Sequence, residues 1–375
     1  MRDVVEIGMG REARRAYDLD QIEIVPSRRT RSSKEVSTEW RLDAYQFDIP
    51  LVTHPTDAVV SPASAVAIGR LGGLAVLNAE GLWARHSDVD AALAEVRDAL
   101  EGSSDPGPAI RTLQELHAAP IDEGLLGEAL KTIRDAGVTV AARVSPQRAR
   151  ELTPMLLAGG VEILFVQGTI ISAEHVSRGE PLNLKEFINS LDVPVVAGGC
   201  GDYRTAMHLM RTGAAGVIVG YGQGVATTTD EVLGIGVPMA TAIVDAAAAR
   251  RDYLDETGGR YVHVIADGGI RSSGDIAKAI ACGADAVMLG EQLAEATDAP
   301  GGGLYWTSAA AHPNLPRSDV VTVGPADRTL EQVLFGPSDE PYGSVNLFGA
   351  LRRAMAKTGY SDLKEFQRVG LTVRS

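Results

Sequence analysis

The sequence predicts an α/β chain folded as a (β/α)8 TIM barrel, and three observations carry that expectation. Eight short runs of β-branched and other apolar residues occur between residues 49 and 290. Longer segments of helical character separate most of them. A phrase of small residues leading into an apolar run also repeats: Ala214-Ala215-Gly216-Val217-Ile218-Val219-Gly220 resembles Gly283-Ala284-Asp285-Ala286-Val287-Met288-Leu289-Gly290, and residues 159–164 are a looser copy. Such phrases are helix exits feeding buried strands and carry no chemistry. Strands without polar alternation are covered on both faces, as in a parallel sheet between helices. Eight such units favour a closed barrel, with a doubly wound open sheet as the weaker alternative.

The strands are expected at 49–52, 74–77, 139–144, 163–167, 193–197, 216–220, 261–266 and 286–289. Helical patterns lie at 61–71, 146–157, 202–212, 238–254 and 274–282. The stretch 78–137 is long for one crossover. Helical patterns at 88–100, 108–118 and 124–136 surround the polar break Gly102-Ser103-Ser104-Asp105-Pro106-Gly107, so it reads as an elaborated crossover or the scar of an insertion. Residues 1–48 form an N-terminal extension with little periodicity and a basic cluster at Arg28, Arg29 and Arg31, read as solvated surface. Residues 49–375 make the single barrel domain, with a flap and tail over 300–375. The Gly/Pro-rich part, 300–341, shows no strong element and is expected to be disordered or a mobile functional loop. Helices return at 346–358 and 363–368.

A formal charge of −14 over 375 residues argues against a nucleic-acid partner held by phosphate neutralisation. No uncharged apolar stretch is long enough to cross a membrane, and the charged first thirty residues do not resemble a signal peptide, so a cytoplasmic protein is expected. The two cysteines, Cys200 and Cys282, are too few for a disulfide framework or a zinc cluster.

In this fold the chemistry sits at the C-terminal ends of the strands. Strand six runs into Gly220-Tyr221-Gly222-Gln223-Gly224-Val225-Ala226-Thr227, strand seven into Asp267-Gly268-Gly269-Ile270, and strand eight into Gly290-Glu291. Glycines on consecutive strand ends leave backbone amides free to face an anion, and Asp267 is placed to accept ribose hydroxyls. This points to a phosphate-bearing nucleotide or sugar, and an enzyme using flavin mononucleotide would satisfy the same residues.

A resemblance narrows this. Val264-Ile265-Ala266-Asp267-Gly268-Gly269-Ile270-Arg271 with Gly274-Asp275-Ile276-Ala277-Lys278-Ala279 looks like the strand-seven signature of the IMP dehydrogenase / GMP reductase family. The loop from Gly220 through Gly234-Ile235-Gly236-Val237-Pro238 is similar to that family's catalytic loop. Ile49-Pro50-Leu51-Val52 with Pro55, Asp57 and Gly72-Gly73 resembles its first two strands. Residues 346–353 and 363–366 resemble its C-terminal helix and tail. The chain is most similar to the short branch of high-GC bacteria that lacks the CBS pair.

The resemblance implies a homotetramer binding a purine nucleoside 5′-monophosphate, with Asp267 on the ribose and Gly268, Gly269 and Gly290 near the phosphate. It implies NAD-dependent oxidation of IMP to XMP in GMP biosynthesis through a cysteine adduct, with NADP and potassium as further expectations. Gly220 and Gln167 fall at cofactor-facing positions, and Gly222, Gly224 and Thr227 at those of a monovalent cation.

The departures cluster at the same rim. The nucleophilic cysteine position falls on Thr227, a poor nucleophile without a base, and the nearest acid in sequence is Asp230, where relatives carry arginine. Val225 and Glu291 stand where relatives use serines for phosphate, Gln167 where they place the aspartate of the nicotinamide ribose, and His54 and Thr56 under the purine. Cys200 replaces a rim asparagine and Cys282 reads as packing. The flap Arg–Tyr pair of the dehydrogenases has no counterpart in 300–341. His54 reads equally as an acid/base or phosphate partner and as polar packing; Trp306 and His312 read as loop surface rather than a lid. Two functions stay open: an IMP dehydrogenase-class oxidoreductase, or a non-catalytic purine-nucleotide binder that associates with a true dehydrogenase.

Overall fold

The structure, a computed structural model, describes residues 4–27, 29–102, 105–173 and 181–374. Arg28 of the basic cluster and Ser103 and Ser104 of the polar break lie outside the described residues. Eight parallel strands form one sheet: β1 (Leu51–Thr53), β2 (Val76–Asn78), β3 (Ala141–Val144), β4 (Ile163–Gln167), β5 (Val195–Cys200), β6 (Gly216–Gln223), β7 (His263–Gly268) and β8 (Ala286–Leu289). Each pairs with its neighbour in chain order, and β8 pairs with β1 through Val287, Met288 and Leu289 against Leu51, Val52 and Thr53. The β1–β2 seam is closed by a parallel bridge between Val52 and Leu74, with Thr53 N–H donating to Leu74 O at 2.9 Å and Leu74 N–H to Leu51 O at 2.9 Å. The Thr53 hydroxyl reinforces the seam by accepting from Val76 N–H at 2.9 Å. The ring is therefore closed, and the open doubly wound alternative falls.

The helices on the outer face are α1 (Pro62–Arg70), α2 (Glu123–Asp135), α3 (Ala149–Ala158), α4 (Leu184–Asn189), α5 (Tyr203–Arg211), α6 (Met239–Thr257), α7 (Ser273–Ala281) and α8 (Leu347–Lys357). Their starts are encoded locally. Ser61 accepts from Ser64 N–H with Pro62 in the first turn, Asp202 from Thr205 N–H, and Ser272 from Asp275 N–H. Two further helices, Val89–Leu100 and Gly107–Ala118, elaborate the crossover between β2 and β3.

Two boundaries differ from expectation for definite reasons. β1 starts at Leu51 rather than Ile49, since Pro50 has no N–H and the Ile49 carbonyl accepts from Trp40 Nε1 at 2.8 Å. β6 runs three residues past Gly220, because pairing resumes where Gln223 meets Gly268. The hairpin Trp40–Leu42 with Tyr45–Phe47 lies at the N-terminal end of the barrel, where Asp43 N–H donates to His263 Nε2 at 3.3 Å.

Residues 300–341 are not a structureless loop. Leu304–Tyr305 pairs with Val321–Thr322, a 3₁₀ turn spans Ser308–Ala311, and Leu330–Phe335 is helical. These elements are too short to leave a periodic signal. Trp306, expected on the surface, is 2% exposed, and its carbonyl accepts from the Thr56 hydroxyl at 2.5 Å. Among the described residues no helix is long and apolar enough to cross a membrane.

The end of the barrel opposite the strand C-termini is tied by Asp285. Its carboxylate accepts from Arg250 Nη1 at 2.7 Å, Tyr261 Oη at 2.8 Å and Val264 N–H at 2.8 Å, and from Lys364. Burial pushes this carboxyl up, but Arg250, then Lys364, pull it further down, and it stays ionised. Asp285→Ala leaves the buried Arg250 uncompensated and is expected to cost roughly 3–5 kcal/mol in urea unfolding. A loss below about 1 kcal/mol would show that the network is redundant.

Candidate functional site

The C-terminal ends of the strands open onto a cavity of about 580 Å³. Of the residues expected from sequence, His54, Gln167, Gly220, Gly222, Thr227 and Asp267 line it. They converge around Gly222, whose φ of +72° suits glycine; a Cβ there would lie 3.6 Å from Thr227 Oγ1, 3.7 Å from His54 Nε2 and 3.8 Å from Asp267 Oδ2.

At the centre, Asp267 Oδ2 accepts from Gln167 Nε2 at 3.2 Å and faces His54 Nε2 at 4.0 Å. Burial raises the Asp267 carboxyl to about 7, and burial lowers the His54 imidazole to about 4, with Arg143 adding to that. Between those values both groups are neutral, so their approach is a contact of an acid and a base rather than an ion pair. His54 Nδ1 and Gln167 Oε1 are buried without a hydrogen-bond partner. Neutral groups with shifted affinities and free polar atoms in a cavity are the usual setting of proton transfer.

The expected nucleophile is differently employed. The Thr227 hydroxyl donates to the Gly222 carbonyl, and Thr227 bridges Ser318 in the covering segment. Asp230 sits exposed in the short helix Thr229–Leu233, outside the cavity, and is no base for Thr227. Two of the three residues expected to cage a monovalent cation, Gly222 and Thr227, are thus bonded to each other. Cys200 donates from Sγ to the Ile218 carbonyl at 3.3 Å, and burial raises both thiols to about 12. Neither cysteine can replace the missing one.

The expected phosphate residues Val225, Gly268, Gly269, Gly290 and Glu291 do not line the cavity, and the amides of Gly269 and Val225 are used within the chain. Gly269 N–H donates to Gln223 O at 2.7 Å, and Gly268 stacks on the Gln223 backbone. The Val225 N–H donates to Glu291 Oε2 at 3.0 Å, so this chain's own carboxylate takes an amide intended for an anion. Burial raises the Glu291 carboxyl. The Tyr305 ring covers Gly290, where a Cβ would come within 2.5 Å of its hydroxyl. Thr56 is buried under Trp306.

The sequence reading missed residues that build the other wall. Arg143, Glu80, Arg85 and Arg317 all line the cavity, with exposed His312 at its rim. Arg143 had a visible signal, a charge inside a strand otherwise apolar. Arg317 and Tyr305 had none, since packing of 300–341 places them.

A closed eight-stranded barrel with a polar cavity at the strand C-termini has its opening where this fold places its ligand sites. Residues 16–311 match the IMP dehydrogenase / GMP reductase domain, and the chain belongs to that family. It is 67% identical over 376 residues to an uncharacterized oxidoreductase of Mycolicibacterium smegmatis, covering 99% of this chain and all of the relative. A crystal structure of an IMP dehydrogenase/GMP reductase-like protein from Corynebacterium glutamicum superposes with a TM-score of 0.95 at 58% identity, covering 99% of this chain and 98% of that one. The inosine-5′-monophosphate dehydrogenase of Methanocaldococcus jannaschii is 26% identical over 95% of this chain and 92% of its own.

Two outcomes test this geometry. With Asp267 raised well above its unfolded value, stability is full at low pH and falls as pH climbs toward 7. Asp267→Asn removes that loss, so its melting temperature relative to wild type should rise from about pH 5 to about pH 8; a constant difference would contradict the buried carboxyl. Both thiols should resist Ellman's reagent in the native protein and react only after denaturation. Fast native labelling of either cysteine would reopen a thiol mechanism.

Proposed function

We propose that this protein is an oxidoreductase of its family that works without a covalent enzyme adduct, moving hydride directly between a nicotinamide cofactor and a polar substrate. The observation that supports the reading is the neutral His54–Asp267 pair in the cavity, beside a threonine whose hydroxyl is already committed. Oxidation of IMP through a thioimidate needs a thiolate nucleophile at this loop, and Thr227 does not supply one.

A nicotinamide dinucleotide, when bound, supplies the hydride acceptor. The residues present fit its reactive end: the unpartnered Gln167 Oε1 suits an amide N–H such as the nicotinamide carboxamide carries, and the cavity volume falls in the range of ligand sites. His54 takes the hydroxyl proton of the substrate as the carbonyl forms and returns it in the reverse direction, and Asp267 beside it orients the imidazole. The Tyr305 and Trp306 segment covers one side and keeps bulk water from the pair. NAD or NADP as cofactor and a tetrameric assembly belong to this proposal as expectations carried from the family; IMP as the oxidised substrate does not, because Thr227 offers no thiolate.

A second reading, binding without turnover, draws on the same committed Thr227. The two separate at 340 nm. IMP with NAD should give no steady NADH production. A panel of purine nucleosides, nucleotides and hydroxy acids with NAD or NADP should give turnover lost in His54→Ala and kept in Thr227→Ala. NADH formation from IMP that vanishes in Thr227→Ala would overturn the adduct-free mechanism. Cofactor binding with no turnover across the panel would favour the binder.

A further inference from the structure

We infer that the wall of the cavity made by β3 and the covering segment is a receptor for an anionic oxygen group, a carboxylate or phosphate, held by Arg143 and Arg317. This inference rests on the cavity alone and not on hydride transfer.

The two guanidinium groups come from parts of the chain far apart in sequence, and each bonds a residue at or just after the end of β4. Arg143, inside β3, donates from Nη2 to the Gln167 carbonyl at 2.8 Å. Arg317, from the segment over the barrel, donates from Nη2 to Thr169 Oγ1 at 3.3 Å and from Nη1 to the Leu315 carbonyl at 2.9 Å. Both line the same cavity. Each keeps an Nε–H that is buried and has no partner.

Their charges are poorly answered. Arg143 is 9% exposed, and its nearest carboxylate is Glu80 Oε1 at 3.5 Å from Nη1. That same Glu80 oxygen is already engaged by the Ser145 N–H. Arg317 makes no ion pair among the described residues, and burial alone lowers its affinity for the proton. Asp267, the other acid of the cavity, is raised to about 7 and so gives little compensating charge. Arg85, also on this wall, spends its donors on the carbonyls of Glu80 and Ala119. A cationic wall facing a buried free His54 Nδ1, in a chain whose net charge is −14, runs against the trend of the molecule.

An arginine buried without a full partner is costly unless something else supplies the negative charge. A bound oxyanion would do so, accepting from the two free Nε–H groups in the side-on geometry that guanidinium groups favour. The receptor residues are distinct from the strand-six and strand-seven loops, where the Val225 amide is taken by Glu291 and the Gly269 amide by Gln223.

The test is binding, read without turnover. Inorganic phosphate and malonate are titrated separately by thermal shift and calorimetry, with sodium chloride at matched ionic strength as the control. Each probe source is then compared with NADH, to tell a free anion from a dinucleotide's diphosphate. The expected result is a saturable rise in melting temperature with phosphate or malonate, weakened at least tenfold in Arg317→Met and in Arg143→Met. Arg317 sits on the covering segment, so its variant keeps the barrel intact and carries the test if Arg143→Met fails to fold. Arg143→Met, if folded, should melt above wild type in anion-free buffer. No saturable response to phosphate, malonate or NADH overturns the receptor. So does a response unchanged in Arg317→Met, or one abolished instead by Val225→Pro, which removes the amide of the strand-six loop. Saturation by NADH alone, lost in Arg317→Met, assigns the two arginines to a diphosphate.

Discussion

Every functional group described above is where it is because the sheet closes on itself. Once β8 pairs with β1 and the Val52–Leu74 bridge seals the last seam, the strands have no free edge, and the helical crossovers between them make all eight run the same way. Parallel closure gathers the eight strand exits on one rim, and a residue a few positions past any strand becomes a neighbour of residues hundreds of positions away. His54 after β1, Gln167 at the end of β4 and Asp267 in β7 meet for that reason alone. The opposite end bears the mechanical demand. There Asp285 joins α6, β7 and the C-terminal tail through a charge that Arg250 and Lys364 keep ionised.

Burial does different things to the acids of the two ends. Asp285 sits among cations and stays charged despite complete enclosure, whereas Asp267 has only a carboxamide and an imidazole beside it and drifts to neutrality. The same residue type thus acts as a fixed anchor at one end and as a group that can exchange a proton at the other. Glu291 is a third case: its carboxylate turns back on the strand-six loop and accepts the Val225 amide, so the chain answers internally a donor that an outside anion would otherwise seek.

How much of this was legible in the sequence follows from the kind of signal each part leaves. The eight strands and most helices were readable because parallel strands are continuous apolar runs and the helices between them begin at Ser61, Asp202 and Ser272, residues that cap locally. His54, Gln167, Thr227 and Asp267 were readable as rim residues because strand ends fix their height. What the strand-end argument could not deliver was direction. Gly269 and Val225 lie at the right height, but their amides face Gln223 and Glu291, a matter of single peptide orientations. Residues 300–341 were opaque for another reason: two-residue strands and one turn of 3₁₀ helix have no period, so neither buried Trp306 nor Arg317 at the cavity announced itself.

The strand Ile22–Ile24 pairs with Leu371–Val373, near the other terminus, just as β1 pairs with β8. On the ribosome, which extends a chain by roughly 5–20 residues per second, residues 22–24 must therefore wait for residues 371–373 before their backbone bonds are complete. Until β8 is made, β1 lacks its partner on that side, and an unpaired strand edge is the condition in which strands find wrong partners. Proline at position 50, lacking an N–H at the head of β1, leaves that waiting edge one donor short as a template for a neighbouring chain.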